Sequence, residues 1–361
     1  MSHRVTMRDV ARAAGVPLSA VPLVIGNRPG VAEERRRRVQ DAMVRLGYAP
    51  RARERRTRRI GLVIEALRVP VLTDIFYGEV IAGIQAEAQA LGCPIWLHTF
   101  DQAAESIDAV TQAARAECDG LILANGGELT DARIDRLAAS SIPLVLVDNH
   151  VLGRELHCVL VDNLGAGYIA TRHLIDLGHR RIAMLPGPRR YRNLVDRLDG
   201  YLDALAEAGI PHDPALTPAP PSYEERKGET QTRALLALPE PPTAIVAVSD
   251  KTAFGALGVL QRAGVRVPED VSLASIDDVV DAATTVPALT TVAVPKREMG
   301  ALAVRRLLAL LEDPAAPPHK TVLYTRLVQR GSTAAPASVP SRRGGEGKVR
   351  AQGLLPAGEG R

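Results

Sequence analysis

Short apolar runs recur along the chain between residues 60 and 275, and each predicts a strand that is buried on both faces. The runs are IGLVI (60–64), PIWLH (94–98), GLILA (120–124), PLVLV (143–147), CVLV (158–161), RIAML (181–185), AIVAV (244–248) and VSLAS (271–275). Helical periodicity fills most of the intervals, over 78–91, 106–116, 164–177, 198–208 and 252–263. Buried strands that alternate with helices predict doubly wound parallel sheets. Because about 270 residues exceed a single compact core, we predict an α/β fold with two lobes.

The first 48 residues have a different pattern, which predicts three short helices. Thr6 and Asp9 have the spacing of a capping box at the start of the first helix, and Gly15 is a stop signal. A second element runs from Pro17 to about Ile25, and a third, over 32–46, has apolar residues at helical spacing. Two short helices joined by a turn and backed by a third are typical of a helix-turn-helix domain, whose second helix enters the major groove of DNA.

Charge is distributed unevenly between these two regions. The 361 residues have a formal net charge of +4, but residues 1–59 contain 15 Arg and 5 acidic residues and so carry +10. This asymmetry indicates an arm for nucleic acid or an anionic membrane. No stretch approaches the ~18–20 consecutive apolar residues of a membrane span, and the N-terminus lacks the apolar run of a signal peptide. We therefore expect a cytoplasmic protein, associated with the nucleoid when it is bound to DNA.

The segments VTMRDVARAAGV (5–16), P-x-S-x-V (17–21) and RPGVAEERRRRVQDAMVRLGYAP (28–50) resemble the N-terminal domain of the lactose-repressor/galactose-repressor (LacI/GalR) family of bacterial transcription regulators. The similarity covers about residues 4–333 and continues through the segments 60–65, 118–124, 144–149, 161–188, 197–210, 241–250, 265–278 and 287–295. The resemblance implies a small all-α helix-turn-helix head and a two-lobed periplasmic-binding-protein-like core. It also implies a ligand-responsive regulator, expected to be a repressor, that binds a pseudo-palindromic operator in double-stranded DNA as a homodimer or tetramer.

Five segments follow from the resemblance and the composition. They are a helix-turn-helix domain (1–48), an Arg-rich hinge (49–59), an N-lobe (60–160 and 291–320), a C-lobe (161–290 and 321–331) and a tail (332–361). The tail is rich in Pro, Gly, Ser and Arg, which predicts disorder. The cleft between the lobes is the expected site of a small-molecule effector, a sugar, polyol or nucleobase-like compound.

The effector-contacting positions of the family fall on eight polar or aromatic residues. They are Asp74, Phe76, Tyr77, Asp148, Arg197, Ser249, Asp250 and Asp277. Carboxylates accept hydrogen bonds from hydroxyl groups, the guanidinium is a donor, and aromatic rings offer a stacking face. Alternatives remain open: a carboxylate at a strand end also caps the next element, the aromatic rings also suit the lobe core, and Arg197 also suits an exposed ion pair. His179 is expected to be a structural turn residue.

Catalytic motifs are missing from the sequence, which has no G-x-S-x-G, P-loop or H-E-x-x-H segment. Cys93, Cys118 and Cys158 match neither a disulfide framework nor a zinc spacing. We therefore expect no enzyme activity, no cofactor and no metal site. Two other classes remain: a ligand sensor or dimerisation partner with a degenerate DNA head, and a sugar-binding or sugar-modifying protein.

The family's DNA contacts fall on Thr6, Leu18, Ser19, Ala20, Leu23, Arg28, Arg53, Arg55 and Arg56. Pro17 replaces the serine that caps the second helix in the family, and Pro22-Leu23 replaces a Ser-Arg pair. A proline in the helix interior is predicted to cost about 3 kcal/mol. The hinge segment 51–59 has six Arg and no leucine to enter the minor groove. We therefore expect DNA binding that is strong in charge and weak in sequence discrimination.

Overall fold

The computed structural model describes residues 5–25, 31–46, 48, 58–65, 74–101, 106–124, 130–220 and 227–337. The chain divides into a small unit that contains residues 1–58 and a large unit that begins at Arg59. Among the described helices, none is long and apolar enough to cross a bilayer.

The small unit contains three helices, α1 (Met7–Ala14), α2 (Ala20–Ile25) and α3 (Glu33–Arg45). The capping box of α1 is confirmed, since the Asp9 carboxylate accepts from the Thr6 N–H at 2.9 Å and the Thr6 hydroxyl accepts from the Asp9 N–H at 3.4 Å. Gly15 ends this helix with a left-handed φ of 62°, as its position predicted. The three helices bury a small shared core of Val10, Ala11, Ala14, Val21, Val24, Val39 and Ala42.

The second helix begins later than the sequence predicted. Residues 17–19 form a turn, in which the Ala20 N–H donates to the Pro17 carbonyl at 2.9 Å, and α2 starts at Ala20. Pro22 therefore lies in the first helical turn. Because the first four N–H groups of a helix have no partner within it, the missing N–H removes no helical hydrogen bond. The penalty expected for an interior proline does not apply.

The first lobe of the large unit is built on a sheet of six parallel strands in the order β10-β5-β4-β3-β1-β2. The strands are β1 (Ile60–Glu65), β2 (Ile95–Phe100), β3 (Gly120–Ala124), β4 (Leu144–Val147), β5 (His157–Val161) and β10 (Lys320–Leu323). The helices of this lobe are α4 (Tyr77–Ala90), α5 (Ile107–Glu117), α6 (Asp131–Ala138) and α11 (Lys296–Glu312). Apolar residues of α5 and α6 share a core with β3 and β4, while α11 packs on α4 and on β3, β4 and β5.

The second lobe is built on a sheet in the order β11-β9-β8-β7-β6. Its strands are β6 (Ile182–Leu185), β7 (Ala244–Ala247), β8 (Ser272–Asp277), β9 (Thr290–Ala293) and β11 (Arg326–Val328), and its helices are α7 (Asn163–Asp176), α8 (Arg192–Glu207), α9 (Lys227–Leu236) and α10 (Asp250–Arg262). Strands β6 to β9 are parallel, whereas β11 pairs with β9 in the antiparallel direction. The predicted doubly wound α/β fold is confirmed, with this one antiparallel edge strand added.

The chain passes between the two sheets after β5, after β9 and after β10. These are the three crossings implied by the resemblance, but the later two occur further along the chain. Strand β9 continues to Ala293 in the second lobe, past the expected boundary at 291, and β10 continues to Leu323 in the first, past 320. The reason is that the strands at both crossings continue their sheet pairing beyond these boundaries.

The expected start of the disordered tail, at residue 332, is wrong. Ser332 and Thr333 are buried in the second lobe. The Leu273 N–H donates to the Ser332 carbonyl at 2.8 Å, and the Thr290 N–H donates to the Ser332 hydroxyl at 2.8 Å. The N–H of the next residue, Ala334, donates to the Ser272 hydroxyl at 3.0 Å. The segment is held by hydrogen bonds rather than by large apolar side chains, so its polar composition hides its order.

Candidate effector-binding site

Arg197 lies near the middle of α8 and is only 2% exposed. Its Nε donates to the Asn163 side-chain oxygen at 2.8 Å, and its Nη1 donates to the Val248 carbonyl at 2.7 Å and to Asp277 Oδ1 at 2.9 Å. These contacts exclude the alternative of an exposed ion pair on the surface of α8. Gly167 on α7 permits this position, because a Cβ there would lie 1.9 Å from the Arg197 carbonyl oxygen.

Asp277 ends β8 in an uncommon backbone conformation. Its φ is 131°, and that of Asp278 is 53°, both in the region that favours glycine. Two cations hold this turn: Lys296 Nζ donates to the Asp277 carbonyl at 2.6 Å, and Arg330 Nη2 donates to Asp278 Oδ1 at 2.6 Å. Because such conformations persist only where the surroundings fix them, these contacts keep the Asp277 carboxylate on Arg197.

Asp148 follows β4 in the first lobe, with a left-handed φ of 57° and 6% of its surface exposed. Its Oδ2 accepts from the Asn193 side-chain nitrogen of α8, in the second lobe, at 3.0 Å. Its Oδ1 is buried with no hydrogen-bond partner among the described residues. Burial raises the pKa of Asp148 to about 7, although the charge of Arg197 acts in the opposite direction. A buried carboxylate oxygen without a donor costs free energy, which a ligand hydroxyl would recover.

The loop before α4 supplies the predicted aromatic residues. Asp74 Oδ1 accepts from the backbone N–H groups of Phe76 and Tyr77, each at 2.9 Å, so its carboxylate shapes the start of α4. The two rings meet edge to face with centroids 5.2 Å apart. Tyr77 is buried, and a hydrogen bond of its side chain with the Asp148 carboxylate lowers the pKa of that carboxyl, although burial raises it more. The loop therefore lies beside Asp148, as the predicted site requires.

The structure argues against the predicted effector contact of Asp250. This residue is fully buried, and its Oδ1 accepts from the hydroxyls of Ser275 and Thr291, while its Oδ2 accepts from the Val279 N–H at 2.8 Å. Oδ1 thus joins α10 to β8 and β9, and Oδ2 joins it to the segment after β8, while burial raises the pKa of Asp250 to about 6. Ser249 caps α10 by accepting from the Thr252 N–H at 3.3 Å.

Three polar residues of this cluster escaped the sequence analysis. Asn193 donates a hydrogen bond to Asp148, and Asn163 accepts one from Arg197. Lys296 is 3% exposed at the start of α11. Asn193 stands one helical turn before Arg197, which was a usable signal. Lys296 looks in the sequence like any lysine that opens a helix. His179 is structural, as predicted: it is buried between the Thr243 hydroxyl and the carbonyl of Ala334.

The described part of the small unit contains five of the nine predicted DNA contacts. Leu18 and Leu23 are 44% and 41% exposed, and Ser19 is exposed as well. Ala20 is only 6% exposed, so the structure argues against its predicted role. The Thr6 hydroxyl donates to Asp9 Oδ2 within the capping box. The other predicted contacts lie outside the described residues: Arg28, Arg53, Arg55 and Arg56.

Residues 6–51 match the bacterial regulatory proteins of the lacI family, and residues 171–333 match a periplasmic binding protein-like domain. The HTH-type transcriptional regulator GalR of Escherichia coli (strain K12) is 33% identical over 339 residues, which are 92% of this chain and 96% of that protein. The chain belongs to the LacI family of bacterial regulatory proteins. LacI-family membership confirms the predicted helix-turn-helix head, the periplasmic-binding-protein-like core and the function of a DNA-binding transcriptional regulator rather than an enzyme.

Two solved structures extend the LacI-family comparison. The complex of the transcriptional regulator CelR with cellobiose is 31% identical with a TM-score of 0.69, and the match covers 91% of this chain and 100% of that one. The lac repressor dimer bound to operator and the anti-inducer ONPF is 25% identical with a TM-score of 0.68, over 92% and 100%. Both are similar to this chain over the DNA-binding and the effector-binding regions together.

Proposed function

We propose that this protein is a repressor that binds its operator as a homodimer and responds to a sugar or another polyhydroxylated metabolite. The observation that carries the effector class is the buried, unpartnered Oδ1 of Asp148, next to the ion pair of Arg197 and Asp277. A hydroxyl group is the donor that suits this oxygen. The cellobiose bound to CelR, a protein of the same family, supports a sugar.

Each residue of the site has a role in this proposal. Asp148 accepts from one ligand hydroxyl, and the fixed guanidinium of Arg197 orients a neighbouring ligand oxygen. Phe76, half buried beside Tyr77, offers a ring face to the C–H side of a sugar. The Asp277 carboxylate holds the Arg197 guanidinium in place. A nucleobase-like ligand would use the same ring face but needs an N–H donor for Asp148.

Coupling between ligand and DNA follows from where Asp148 lies. The hydrogen bond from Asn193 to Asp148 joins the second lobe to the first. A ligand that donates to Asp148 and also contacts Arg197 of the second lobe adds a further link between the lobes and so favours one relative orientation of them. Such couplings typically amount to about 1–3 kcal/mol, and the effect of ligand on DNA affinity equals the effect of DNA on ligand affinity.

A thermal-shift screen of sugars, polyols and nucleosides tests the effector class. A ligand at about 100 times its Kd stabilises the protein by about 2.7 kcal/mol, which raises Tm by about 5–10 °C in a domain of this size. The Asp148→Asn variant removes the acceptor charge, and Asp203→Asn, at an exposed position of α8, is the matched control. We expect a compound that shifts the wild type and Asp203→Asn but not Asp148→Asn. Equal shifts in all three proteins would place the effector elsewhere.

Sequencing the DNA that the full chain enriches from genomic fragments tests the operator. We expect a pseudo-palindrome, because a two-fold symmetric dimer places two reading heads in mirrored half-sites. Mass measurement in solution distinguishes the dimer from the tetramer. Absence of any enriched palindrome would favour the alternative of a ligand sensor with a degenerate DNA head.

A further inference from the structure

The outward surface of α2 and its preceding turn is apolar. Val21 and Val24 are buried in the core of the small unit, whereas Leu18 and Leu23 lie outside that core and are 44% and 41% exposed. The single exposed polar side chain among these residues that the structure describes is Ser19. This surface belongs to the second helix of a helix-turn-helix, the element that enters the major groove.

Hydrogen-bond readout by this helix is limited by its sequence. From Leu18 to Ile25 there is no Arg, Lys, Asn, Gln, Asp or Glu, so no side chain forms the bidentate bonds that distinguish guanine or adenine. The only apolar group that a base pair presents in the major groove is the 5-methyl group of thymine. Two exposed leucines match that group and no other base edge.

The surrounding charge identifies DNA as the occupant of this surface. Residues 1–59 carry 15 Arg against 5 acidic residues, and Arg12 of α1 is 82% exposed on its side chain. An apolar patch in so basic a unit complements a polyanion that has apolar groups along its groove. A protein partner would need acidic residues around an apolar centre, whereas DNA supplies phosphates around thymine methyls without further conditions.

We propose that Leu18 and Leu23 read thymine 5-methyl groups, so that each operator half-site has A·T pairs at the two positions that these side chains contact. The proposal rests on the DNA-binding function proposed above. Leu18 stands in the turn and Leu23 in α2, and a segment of five residues spans at most about 18 Å, or about five base-pair steps. The two methyl groups therefore lie in the same half-site.

Replacing thymine by deoxyuridine in the enriched operator tests the proposal. Deoxyuridine keeps every hydrogen-bonding group of the base and lacks only the methyl group. With the full chain at fixed salt, we expect two positions in each half-site where the replacement weakens binding about three- to fivefold, measured by fluorescence anisotropy. Other thymines serve as internal controls and leave Kd within twofold.

Two leucine variants assign the positions. Leu18→Ala and Leu23→Ala are each expected to bind more weakly and to lose the deoxyuridine effect at one position only. Val44→Ala removes an equally apolar side chain, 82% exposed on α3, and is expected to keep both effects. Because both leucines lie outside the core, the thermal stability of these variants is the folding control.

Three outcomes overturn the proposal in distinguishable ways. A selected palindrome whose affinity is indifferent to deoxyuridine at every position means that the methyl groups are not read, while the repressor function stands. A deoxyuridine effect that persists in both leucine variants assigns the contact to other residues. No enriched DNA at all removes the proposed DNA function and this proposal together.

Discussion

The exposed surface of α2 and of the turn before it carries leucines, whereas the cluster around Arg197 is polar and buried. In the cluster, nearly every donor and acceptor is fixed by a named partner, and one acceptor, Asp148 Oδ1, has no hydrogen-bond partner in the part of the chain that the structure describes. Such a site selects a ligand by the group that completes it. On α2 no side chain forms two hydrogen bonds, so affinity must come from phosphates and discrimination from shape and methyl groups. The proposed DNA-binding surface therefore selects its ligand less strictly than the proposed effector site does.

The largest expected effect is on the salt dependence of DNA binding. If each protomer neutralises about six phosphates, log K for a dimer falls by about 11 per decade of salt, near −0.9 per phosphate. Titrations of operator affinity against salt concentration measure this slope. A slope shallower than about −3 would mean about three phosphates in all and would remove the contrast between the two regions.

Two arginines of the predicted hinge refine that measurement. Arg59 donates to Glu117 at 2.8 Å in the large unit, so Arg59→Ala is expected to leave the salt slope unchanged. Arg55→Ala is expected to make it shallower by about 1.8 for the dimer, at about 0.9 per lost phosphate contact. Equal changes of the salt slope in the two variants would contradict the assignment of Arg59 to the large unit and of Arg55 to a phosphate contact.

The second prediction concerns stability. Arg197→Ala removes the guanidinium that forms the buried ion pair with the Asp277 carboxylate, and the free energy of unfolding is expected to fall by about 3–5 kcal/mol, measured by urea denaturation. Arg192→Ala, which breaks a much less buried pair with Asp196 on the same helix, is expected to cost about 1 kcal/mol. Similar losses would mean that burial of the cluster contributes little.

The third prediction is a pH dependence of effector binding. The pKa of Asp148 is raised to about 7 by burial, so the carboxylate is mostly protonated at pH 6 and mostly ionised at pH 8. A ligand hydroxyl donates best to the ionised form. Affinity for the effector is therefore expected to rise about tenfold from pH 6 to pH 8, because the ionised fraction of a carboxyl with this pKa rises from about one tenth to about nine tenths. Isothermal titration calorimetry checks this, and an affinity that falls with rising pH would show that Asp148 donates instead.

The smallest expected effect is a gain of discrimination on α2. Leu23→Arg adds a side chain that donates two hydrogen bonds to guanine, and competition assays are expected to show at least fivefold better discrimination between guanine-containing and other half-sites. Val44→Arg adds the same charge on α3 and is expected to raise affinity for all DNA without changing the ratio. The same gain in both variants would assign the effect to charge.

The predictable part of this molecule depends on short-range patterns. Buried strands, the capping box of Thr6 and Asp9, and the positions of Asp148 and Asp277 at the carboxyl ends of their strands all follow from the sequence, since open α/β sheets present ligand-binding side chains at those ends. The side-chain hydrogen-bond networks, in contrast, cannot be predicted from the sequence. Asp250 also stands after a strand, yet its carboxylate is occupied by Ser275 and Thr291, which are distant in sequence. Burial of such groups depends on tertiary contacts that no local pattern records.

Local sequence patterns also gave the wrong position for two boundaries, the start of α2 and the start of the tail. Pro17 was a plausible helix start, but a turn precedes α2, so the helix begins at Ala20. Ser332 and Thr333 have the composition of a disordered tail, yet each fills a hydrogen-bonding position in the second lobe. In both places the outcome depends on which backbone groups find partners, a property of the assembled fold.

That last segment sets where the chain tolerates shortening. Residues 332–334 meet the Thr290 and Leu273 backbone as well as the imidazoles of His173 and His179. A protein cut after Gly331 would expose several polar groups in the interior of the second lobe at once. A protein cut after Ala337 would keep them all satisfied. The boundary for expression of a minimal stable regulator therefore lies beyond Ala334, and a fusion partner attached there leaves the effector lobe complete.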